Sequence, residues 1–437
     1  MSVSRQGAPL LLALAFACNT GKDGADDTDS DAPAVAVDQC SESYSVPGAF
    51  GETSTQGIQA DEATFGSAQS VGSTSVGPDP SQVHLGWPGA NTSNSISFVW
   101  NTDVGTLASQ VKWGEGSALD HTSKGVSFSF GGKDGTDYRV HELKLCGRLK
   151  PGTTYSYQVG GEGHWSETFQ FTTPAAPGTF DTFTVAIAGD SRGAYETWGN
   201  VIAKMESHDP DFYLFSGDMV DLGANQAEWL AWWNAAGSTF ASKVIVPAHG
   251  NHEILSSNYF AQFSLPNNEQ WFTVDFGNAT VASLNDTVAT AEDITVAQAD
   301  FLTSKFGASS ADWKIAMHHR TEYSICDGHG SAEDVRDAWA PVFDAQHVDL
   351  VFAGHNHIYE RSKVIKADAE VAAGEGTTYF VSGGAGADLY TDTIPEWFNA
   401  QTATVEHYMI AEFGPTSVTI TVRDLSDNVL DTVTLPR

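Results

Sequence analysis

Hydrophobic and polar positions follow two different patterns on either side of a Pro- and Gly-containing segment at residues 174–178. Before it, short runs alternate apolar and polar residues and end in turns; Ile96, Phe98 and Trp100, for example, share one strand face. About seven such runs predict an all-β sandwich. After the segment, apolar runs of strand length alternate with longer amphipathic segments, which predicts an α/β domain.

The second region contains five predicted buried strands and four predicted helices. The strands are at residues 183–188, 212–215, 244–246, 314–317 and 349–352, and the helices are at 196–207, 226–236, 296–306 and 332–344. Ligands of open α/β sheets bind beyond the carboxyl ends of the strands. We therefore expect the chemistry of this chain to lie just after the five strands.

A cluster of polar residues follows each predicted strand. The clusters are Gly189-Asp190-Ser191-Arg192, Gly217-Asp218-Met219-Val220-Asp221, Gly250-Asn251-His252-Glu253, His318-His319 and Gly354-His355-Asn356-His357. Asp, Asn and His are suitable ligands for first-row metals, and a preceding Gly permits a sharp turn. One such cluster alone is common in ordinary loops, but five in this order predict a metal site.

The order of these clusters resembles the binuclear metallophosphoesterases, and most of all the purple acid phosphatases. The segment V-F-A-G-H-N-H-I-Y-E-R-S at residues 351–362 is very similar to the last motif of that family. The run L-K-P-G-T-T-Y-S-Y at 149–157 resembles a fibronectin type III domain, which the family also carries on its N-terminal side. The resemblance spans about residues 80–437 and implies a layered β-sandwich flanked by helices for the α/β domain.

The resemblance also implies a set of ligands for two metal ions, which could be iron, zinc or manganese. Metal one would take Asp190, Asp218, Asp221 and His357, and metal two would take Asp218, Asn251, His318 and His355. Asp221 stands where the purple acid phosphatases have a tyrosine whose bond to ferric iron produces their colour. We therefore predict no tyrosinate colour, which leaves an Fe(III) requirement open.

Four further residues are candidates for direct contact with a substrate. His252 adjoins a predicted ligand and His329 lies in a loop where the family has a catalytic histidine, so both are predicted as proton donors or phosphate contacts. Arg192 is either a phosphate contact or a surface salt-bridge residue. His319 is either a substrate contact or a histidine packed beside the site.

Three residues are predicted to surround the metal ligands without binding the metals. Glu253 closes the third cluster, and Glu360 and Arg361 follow the last one. Partners of metal-bound side chains commonly hold them in orientation. We expect Glu360 and Arg361 to support His357 in this way.

The charge of the chain is strongly acidic. It has 21 Lys+Arg and 55 Asp+Glu, a formal net charge of −34. Such a surface repels phosphate backbones, so a binder of duplex nucleic acid is excluded. A small phosphate ester remains compatible as substrate, because bound cations would set the local field.

The first 80 residues are predicted to serve export rather than the fold. Residues 1–17 are typical of a signal peptide, and Cys18 lies where a bacterial lipoprotein would carry its lipid anchor. Residues 18–80 are an acidic and Gly/Ser-rich tether. No apolar run is long enough for a transmembrane helix. We therefore predict an exported protein, either a cell-envelope lipoprotein or a secreted one.

The cysteines allow one disulfide within the folded region. If Cys18 is lipidated, Cys40, Cys146 and Cys326 remain, and the sequence does not decide which two pair. The spacing contains no C-x-x-C motif, so a zinc-thiolate site is not expected.

Together these features predict a sandwich domain at residues 81–175 and a catalytic domain at 176–437. The favoured function is an exported metal-dependent phosphatase that cleaves phosphate monoesters through a hydroxide generated at two metals. One alternative is a phosphodiesterase or nucleotide hydrolase on the same scaffold. A less favoured alternative is a cell-surface binding protein in which the sandwich is the working part.

Overall fold

The computed structural model describes residues 40, 46–47, 53–54, 77–131, 137–179, 182–287 and 290–437. The predicted signal peptide, Cys18 and most of the predicted tether lie outside these residues. In the described part of the chain, no helix is both long and apolar enough to cross a membrane.

The N-terminal part of the described chain is all β. Its strands are β1 (Val46–Pro47), β2 (Thr53–Ser54), β3 (Ser81–Gly86), β4 (Ile96–Thr102), β5 (Gln110–Glu115), β6 (His121–Lys124), β7 (Val126–Gly131), β8 (Asp137–Leu145), β9 (Thr154–Gly161), β10 (His164–Trp165) and β11 (Phe169–Thr172). One sheet has the order β3-β4-β8-β7, and the other has the order β10-β9-β5-β6 with β11 beside β9. Phe98 and Tyr157, from different sheets, pack at 4.7 Å between ring centroids. The predicted sandwich is confirmed.

The disulfide joins Cys40 to Cys146. Cys326 is buried and free. The bond attaches Cys40 to the residue that follows the sandwich strand β8, a pairing that the sequence left open.

The C-terminal part, as described over residues 182–287 and 290–437, contains two mixed sheets and five α-helices. The strands are β12 (Phe183–Ala188), β13 (Phe212–Phe215), β14 (Val244–Pro247), β15 (Phe272–Phe276), β16 (Ala279–Ser283), β17 (Trp313–Arg320), β18 (Leu350–Gly354), β19 (Tyr359–Lys366), β20 (Ala369–Glu370), β21 (Thr377–Ser382), β22 (Asn399–Ala403), β23 (His407–Phe413), β24 (Ser417–Asp424) and β25 (Val429–Pro436). The helices are α1 (Tyr195–Glu206), α2 (Gln226–Ala236), α3 (Ser257–Gln262), α4 (Ala299–Ala308) and α5 (Glu333–Gln346), with a 3-10 turn at Thr239–Ala241 and a π-helical turn at Asp293–Gln298.

The strand order places the predicted clusters at facing sheet edges. One sheet has the order β14-β13-β12-β23-β24-β25, and the other has the order β15-β16-β17-β18-β21-β19-β20 with β22 beside β19. Strands β12, β13 and β14 are parallel to one another, as are β16, β17, β18 and β21. Parallel strands end at the same edge of their sheet, so the residues that follow them lie together.

Side chains of β17 show how the layers are arranged. Ile315 and Met317 belong to a core shared with the first sheet. Ala316, between them, belongs to a separate core with Phe306 of α4 and Trp339 of α5. Successive residues of a strand point to opposite faces, so this sheet is covered by the other sheet on one face and by helices on the other. The predicted layered β-sandwich flanked by helices is confirmed.

The sandwich domain packs directly against the α/β domain. The ring of His84 stacks on that of Trp233 at 4.0 Å between centroids, and the Tyr157 hydroxyl donates to the Ala241 carbonyl at 2.6 Å. Burial lowers the pKa of His84 to about 4, which keeps its ring uncharged in this interface. The sandwich is therefore fixed on its neighbour rather than loosely attached.

Candidate metal centre

The carboxyl ends of the parallel strands bring two groups of ligand atoms together. Asp190, Asp218 and His357 form one group, and Asp218, His319 and His355 form the other, with all ligand atoms of a group within 4.8 Å of one another. Asp218 belongs to both groups. A carboxylate shared between two such groups is the arrangement expected where two cations lie side by side.

The backbone at these ligands is in an unusual conformation. Asp190, Asp218 and His355 have φ angles of 60°, 55° and 68°. This left-handed region is disfavoured for residues with a Cβ and costs on the order of 1–3 kcal/mol at each position. Three such residues in one cluster indicate that the fold holds these side chains in place for a function. Gly354 is required beside them, because a Cβ there would overlap the Asp190 carboxylate.

A hydrogen bond and a stacked ring fix the orientation of His357. Its Nδ1 lies 2.7 Å from the carbonyl oxygen of Asp388, and a carbonyl can only accept, so Nδ1 carries the proton. Nε2 is therefore the free nitrogen, and it faces Oδ1 of Asp190 at 3.5 Å. The ring of Tyr390 stacks on His357 at 4.4 Å between centroids. This nitrogen is thereby positioned as a metal ligand.

His319 is oriented in the same way in the second group. Its Nδ1 donates to the Ser216 carbonyl at 2.7 Å, while Nε2 lies 3.0 Å from Oδ1 of Asn251 and 3.3 Å from Oδ1 of Asp218. A nitrogen lone pair that faces two oxygens is unfavourable unless a proton or a cation lies between them. The donor set therefore fits a cation. Asn251 adjoins the second group through His319, and its role as a ligand stays a prediction.

The ionisation of the histidines agrees with a site built for positive charge. Burial lowers the pKa of His319, but Asp218 and the neighbouring carboxylates outweigh burial and raise the pKa to about 10. Burial, His319 and His329 lower the pKa of His355 to about 3. His355 is thus neutral and can offer a nitrogen to a metal.

The prediction of His318 as a metal ligand is wrong. His318 is fully buried on the opposite face of β17, with Nδ1 2.9 Å from Asp286 and Nε2 3.0 Å from Glu322, and its ring packs against Trp339 of α5. Its neighbour His319 follows Met317 toward the other sheet and takes the predicted ligand position. Alternation along the strand forces the choice, since adjacent side chains cannot face the same way.

Asp221 also differs from its predicted place as a metal ligand. Its side chain is 57% exposed and accepts a hydrogen bond from Nη1 of Arg192 at 3.0 Å. It joins neither ligand group. Arg192 in turn lies with Nε 3.7 Å from Oδ2 of Asp218. The guanidinium thus lies next to Asp218 and is paired with Asp221, as in the salt-bridge alternative.

His252 and His329 lie beside different ligands of the cluster. The His252 amide donates to Oδ1 of Asp218 at 3.0 Å, and its Nδ1 donates to the Asp221 carbonyl at 2.6 Å. Its Nε2 then faces Oδ2 of Asp218 at 3.8 Å. The exposed ring of His329 lies 4.1 Å from that of His355. Each histidine therefore adjoins one of the two ligand groups, His252 through Asp218 and His329 through His355.

Glu253 holds two of the strand ends together. Its carboxylate accepts hydrogen bonds from the amides of Asp218, Met219 and Gly250 at 2.9, 2.8 and 2.7 Å. Burial, followed by the nearby charge of Asp218, raises its pKa to about 7. It fixes the turn that carries Asp218 to the turn that carries Asn251.

The prediction that Glu360 and Arg361 support His357 is wrong. Glu360 accepts hydrogen bonds from the Ser324 hydroxyl at 2.9 Å and the Ile325 amide at 3.2 Å, and Arg361 pairs with Asp431 at 2.7 Å. In strand β19, next to the last cluster, these side chains are directed elsewhere, Glu360 to the loop at Ser324 and Arg361 to strand β25. The partners of His357 are Asp388 and Tyr390, from a later segment.

Tyr390 is a residue of this centre that sequence reasoning missed. Besides stacking on His357, its hydroxyl lies 3.1 Å from Nε2 of His329. It lies in an irregular segment, where no hydrophobic period marks one side chain over another. Only the fold brings it to the ligands.

Fold and site together define a calcineurin-like phosphoesterase. A family model described as "Calcineurin-like phosphoesterase" matches residues 183–359, and one described as "Purple acid Phosphatase, N-terminal domain" matches residues 80–173. The chain therefore belongs to the purple acid phosphatase-like metallophosphoesterases and is a hydrolase acting on phosphate esters. The less favoured interpretation as a binding protein is set aside.

Individual relatives agree with this assignment. Purple acid phosphatase 22 of Arabidopsis thaliana is 28% identical over 318 residues, which cover 66% of this chain and 69% of that protein. Purple acid phosphatase 21 of the same plant is 28% identical over 312 residues, which cover 66% and 68%. The structure of a purple acid phosphatase from yellow lupin (Lupinus luteus) seeds superposes with a TM-score of 0.73 at 19% identity, covering 82% of this chain and 75% of that one. This last likeness concerns the fold.

Proposed function

We propose that this chain hydrolyses phosphate monoesters at a centre of two metal ions. The observation that carries the proposal is the pair of ligand groups that share Asp218. The curated relatives are named as phosphatases, which favours monoesters over the alternative of diesters or nucleotides.

Six side chains would hold the two ions, with Asp218 shared between them. One ion would be bound by Asp190, Asp218 and His357, and the other by Asp218, Asn251, His319 and His355. Bound there, two cations of iron, zinc or manganese would activate a water molecule and offset the charge of the phosphoryl group. Carboxylate, amide and imidazole donors suit each of these metals.

The side chains around the ligands would act on the ester itself. The Arg192 guanidinium, near Asp218, is placed to donate hydrogen bonds to phosphoryl oxygens. His252 lies beside Asp218 and His329 beside His355, where either can give a proton to the departing alkoxide. Burial, His357 and His319 lower the pKa of His329, so its protonated form is a stronger proton donor than an ordinary imidazolium.

The experiment compares ligand variants with matched controls on a panel of esters. Asn251→Ala and His355→Ala should each abolish hydrolysis of p-nitrophenyl phosphate, with the circular dichroism spectrum unchanged. Asn234→Ala and His121→Ala, at exposed positions away from the centre, should retain full activity. A monoesterase should leave bis(p-nitrophenyl) phosphate intact. Cleavage of the diester at a comparable rate would favour the phosphodiesterase alternative.

We also propose that the protein is exported, as a cell-envelope lipoprotein or in secreted form. The Cys40–Cys146 disulfide supports this, since such bonds persist in oxidising compartments. Cys18→Ala should release the protein from the membrane fraction if Cys18 carries a lipid. An unchanged membrane fraction in that variant would argue against the anchor.

A further inference from the structure

A cavity of about 610 Å³ lies beside the metal centre. Its walls come from the loop at residues 323–331, the start of α5 and the segment at 394–398. His329 is part of this wall, and its ring also lies 4.1 Å from that of the ligand candidate His355. A group bound in the cavity would therefore be separated from the ligand cluster by one imidazole.

The cavity presents apolar and aromatic surface to solvent. Trp397 is 44% exposed and Ile394 is 53% exposed, and the ring of Trp397 packs edge-on against Phe398 at 5.8 Å. Large apolar side chains left exposed beside a catalytic centre indicate a place where an organic group binds.

The charge at this cavity is negative. Its lining includes four carboxylates and one guanidinium, a formal balance of 1 − 4 = −3: Asp327, Glu333, Asp368, Glu396 and Arg336. Arg336 lies 3.7 Å from Glu333 and 5.5 Å above the Tyr323 ring, so its charge is already partnered. An anionic group would be repelled here, whereas a cation beside a tryptophan face would be attracted.

We propose that this cavity binds the cationic alcohol part of the substrate, so that the preferred esters are phosphates of amino alcohols such as choline or ethanolamine. The inference rests on the proposed phosphatase function. The phosphoryl group would lie at the ligand cluster and the alcohol would extend past His329 toward Trp397. In the reaction, a bond forms from water oxygen to phosphorus, the bond from phosphorus to the ester oxygen breaks, and the departing oxygen takes a proton, with no redox step.

The test compares two esters of the same shape. Choline phosphate and 3,3-dimethylbutyl phosphate differ only in that a quaternary nitrogen replaces a quaternary carbon. We expect kcat/KM to be about tenfold higher for choline phosphate, the factor given by a cation–π contact together with the local negative charge. The inhibition constant of inorganic phosphate, which reports the ligand cluster alone, serves as the reference.

Variants of the cavity should remove the preference without affecting phosphate binding. Trp397→Ala and Glu396→Gln should each lower the ratio of the two kcat/KM values by about threefold or more, which is about the strength of one such contact. Neither variant should change the inhibition constant of inorganic phosphate. Val429→Ala and Glu167→Gln, at exposed positions outside the cavity, should keep the preference. Equal kcat/KM values for the two esters in the wild type, with p-nitrophenyl phosphate still hydrolysed, would overturn this inference alone. If none of the three esters is hydrolysed, both this inference and the phosphatase proposal are overturned.

Discussion

Two neighbouring histidines offer the sharpest test of the metal centre. His318→Ala and His319→Ala remove the same side chain at adjacent, fully buried positions of β17. His319 faces Asp218 and Asn251, whereas His318 faces away from them. We expect His319→Ala to lose one of two bound metals and to lower kcat by at least about a thousandfold. His318→Ala should keep both metals and most of the activity.

The cost of removing His318 should appear in stability instead. Its two ring nitrogens contact Asp286 and Glu322 at 2.9 and 3.0 Å, and all three side chains are 0% exposed. Removing one partner of a buried charge pair costs about 3–5 kcal/mol, because the remaining charge is left unpaired. At about 2–4 °C per kcal/mol for a protein of this size, the melting temperature should fall by roughly 6–20 °C.

Three measurements on the same samples separate these effects: metal content per chain, kcat on p-nitrophenyl phosphate, and the thermal unfolding midpoint. The reasoning is refuted if His318→Ala loses a metal while His319→Ala keeps both. It is also refuted if His318→Ala leaves the melting temperature unchanged, since the contacts of His318 with Asp286 and Glu322 would then contribute nothing to stability.

Three further predictions concern pH, the disulfide and colour. Burial raises the pKa of Glu360 to about 7 from its usual 4.5, so between these pH values the folded state holds a proton that the unfolded state has lost. The free energy of unfolding should therefore fall by about 1.4 kcal/mol per pH unit in this range. Denaturant titrations should show a flatter dependence of this free energy on pH for Glu360→Gln, and an unchanged slope would contradict the prediction. Reducing the Cys40–Cys146 bond, which spans 106 residues, should lower the unfolding free energy by about 4–5 kcal/mol. Cys326→Ala should show the same loss on reduction, and a different loss would show that the free thiol contributes to the effect. The iron-loaded protein should show no tyrosinate charge-transfer band in its visible spectrum, because Asp221 replaces the tyrosine of the coloured family members; a strong band would refute this.

Local patterning predicted the regular elements well. β12 (Phe183–Ala188), β13 (Phe212–Phe215) and α2 (Gln226–Ala236) have the predicted bounds. In the strands, continuous apolar runs of the right length reflect burial on both faces. The helix begins at Asn225, whose side chain accepts from the Ala227 amide, and ends at Gly237. Each signal lies within a few residues of the element that it defines.

The fourth strand shows where local patterning failed. Both faces of β17 are buried, so polarity does not distinguish the face of His318 from that of His319. Only the packing of one face against α5 and the other against the facing sheet makes one histidine a partner of Asp286 and the other a neighbour of Asp218. The same limit applies to Asp221, whose position depends on an arginine from a different strand end.

The sequence by itself therefore determined the division into a β-sandwich and an α/β domain, the five strands that end at the centre, four of the helices, and the polar clusters that carry the chemistry, because these follow from periodicity and from residue types close together in the chain. The tertiary structure alone decided which histidine faces the ligands, which cysteines pair, and how residues 323–331 and 394–398 enclose a cavity beside His329. These features depend on contacts between residues far apart in the chain, and a local pattern holds no information about which distant surface a side chain will meet.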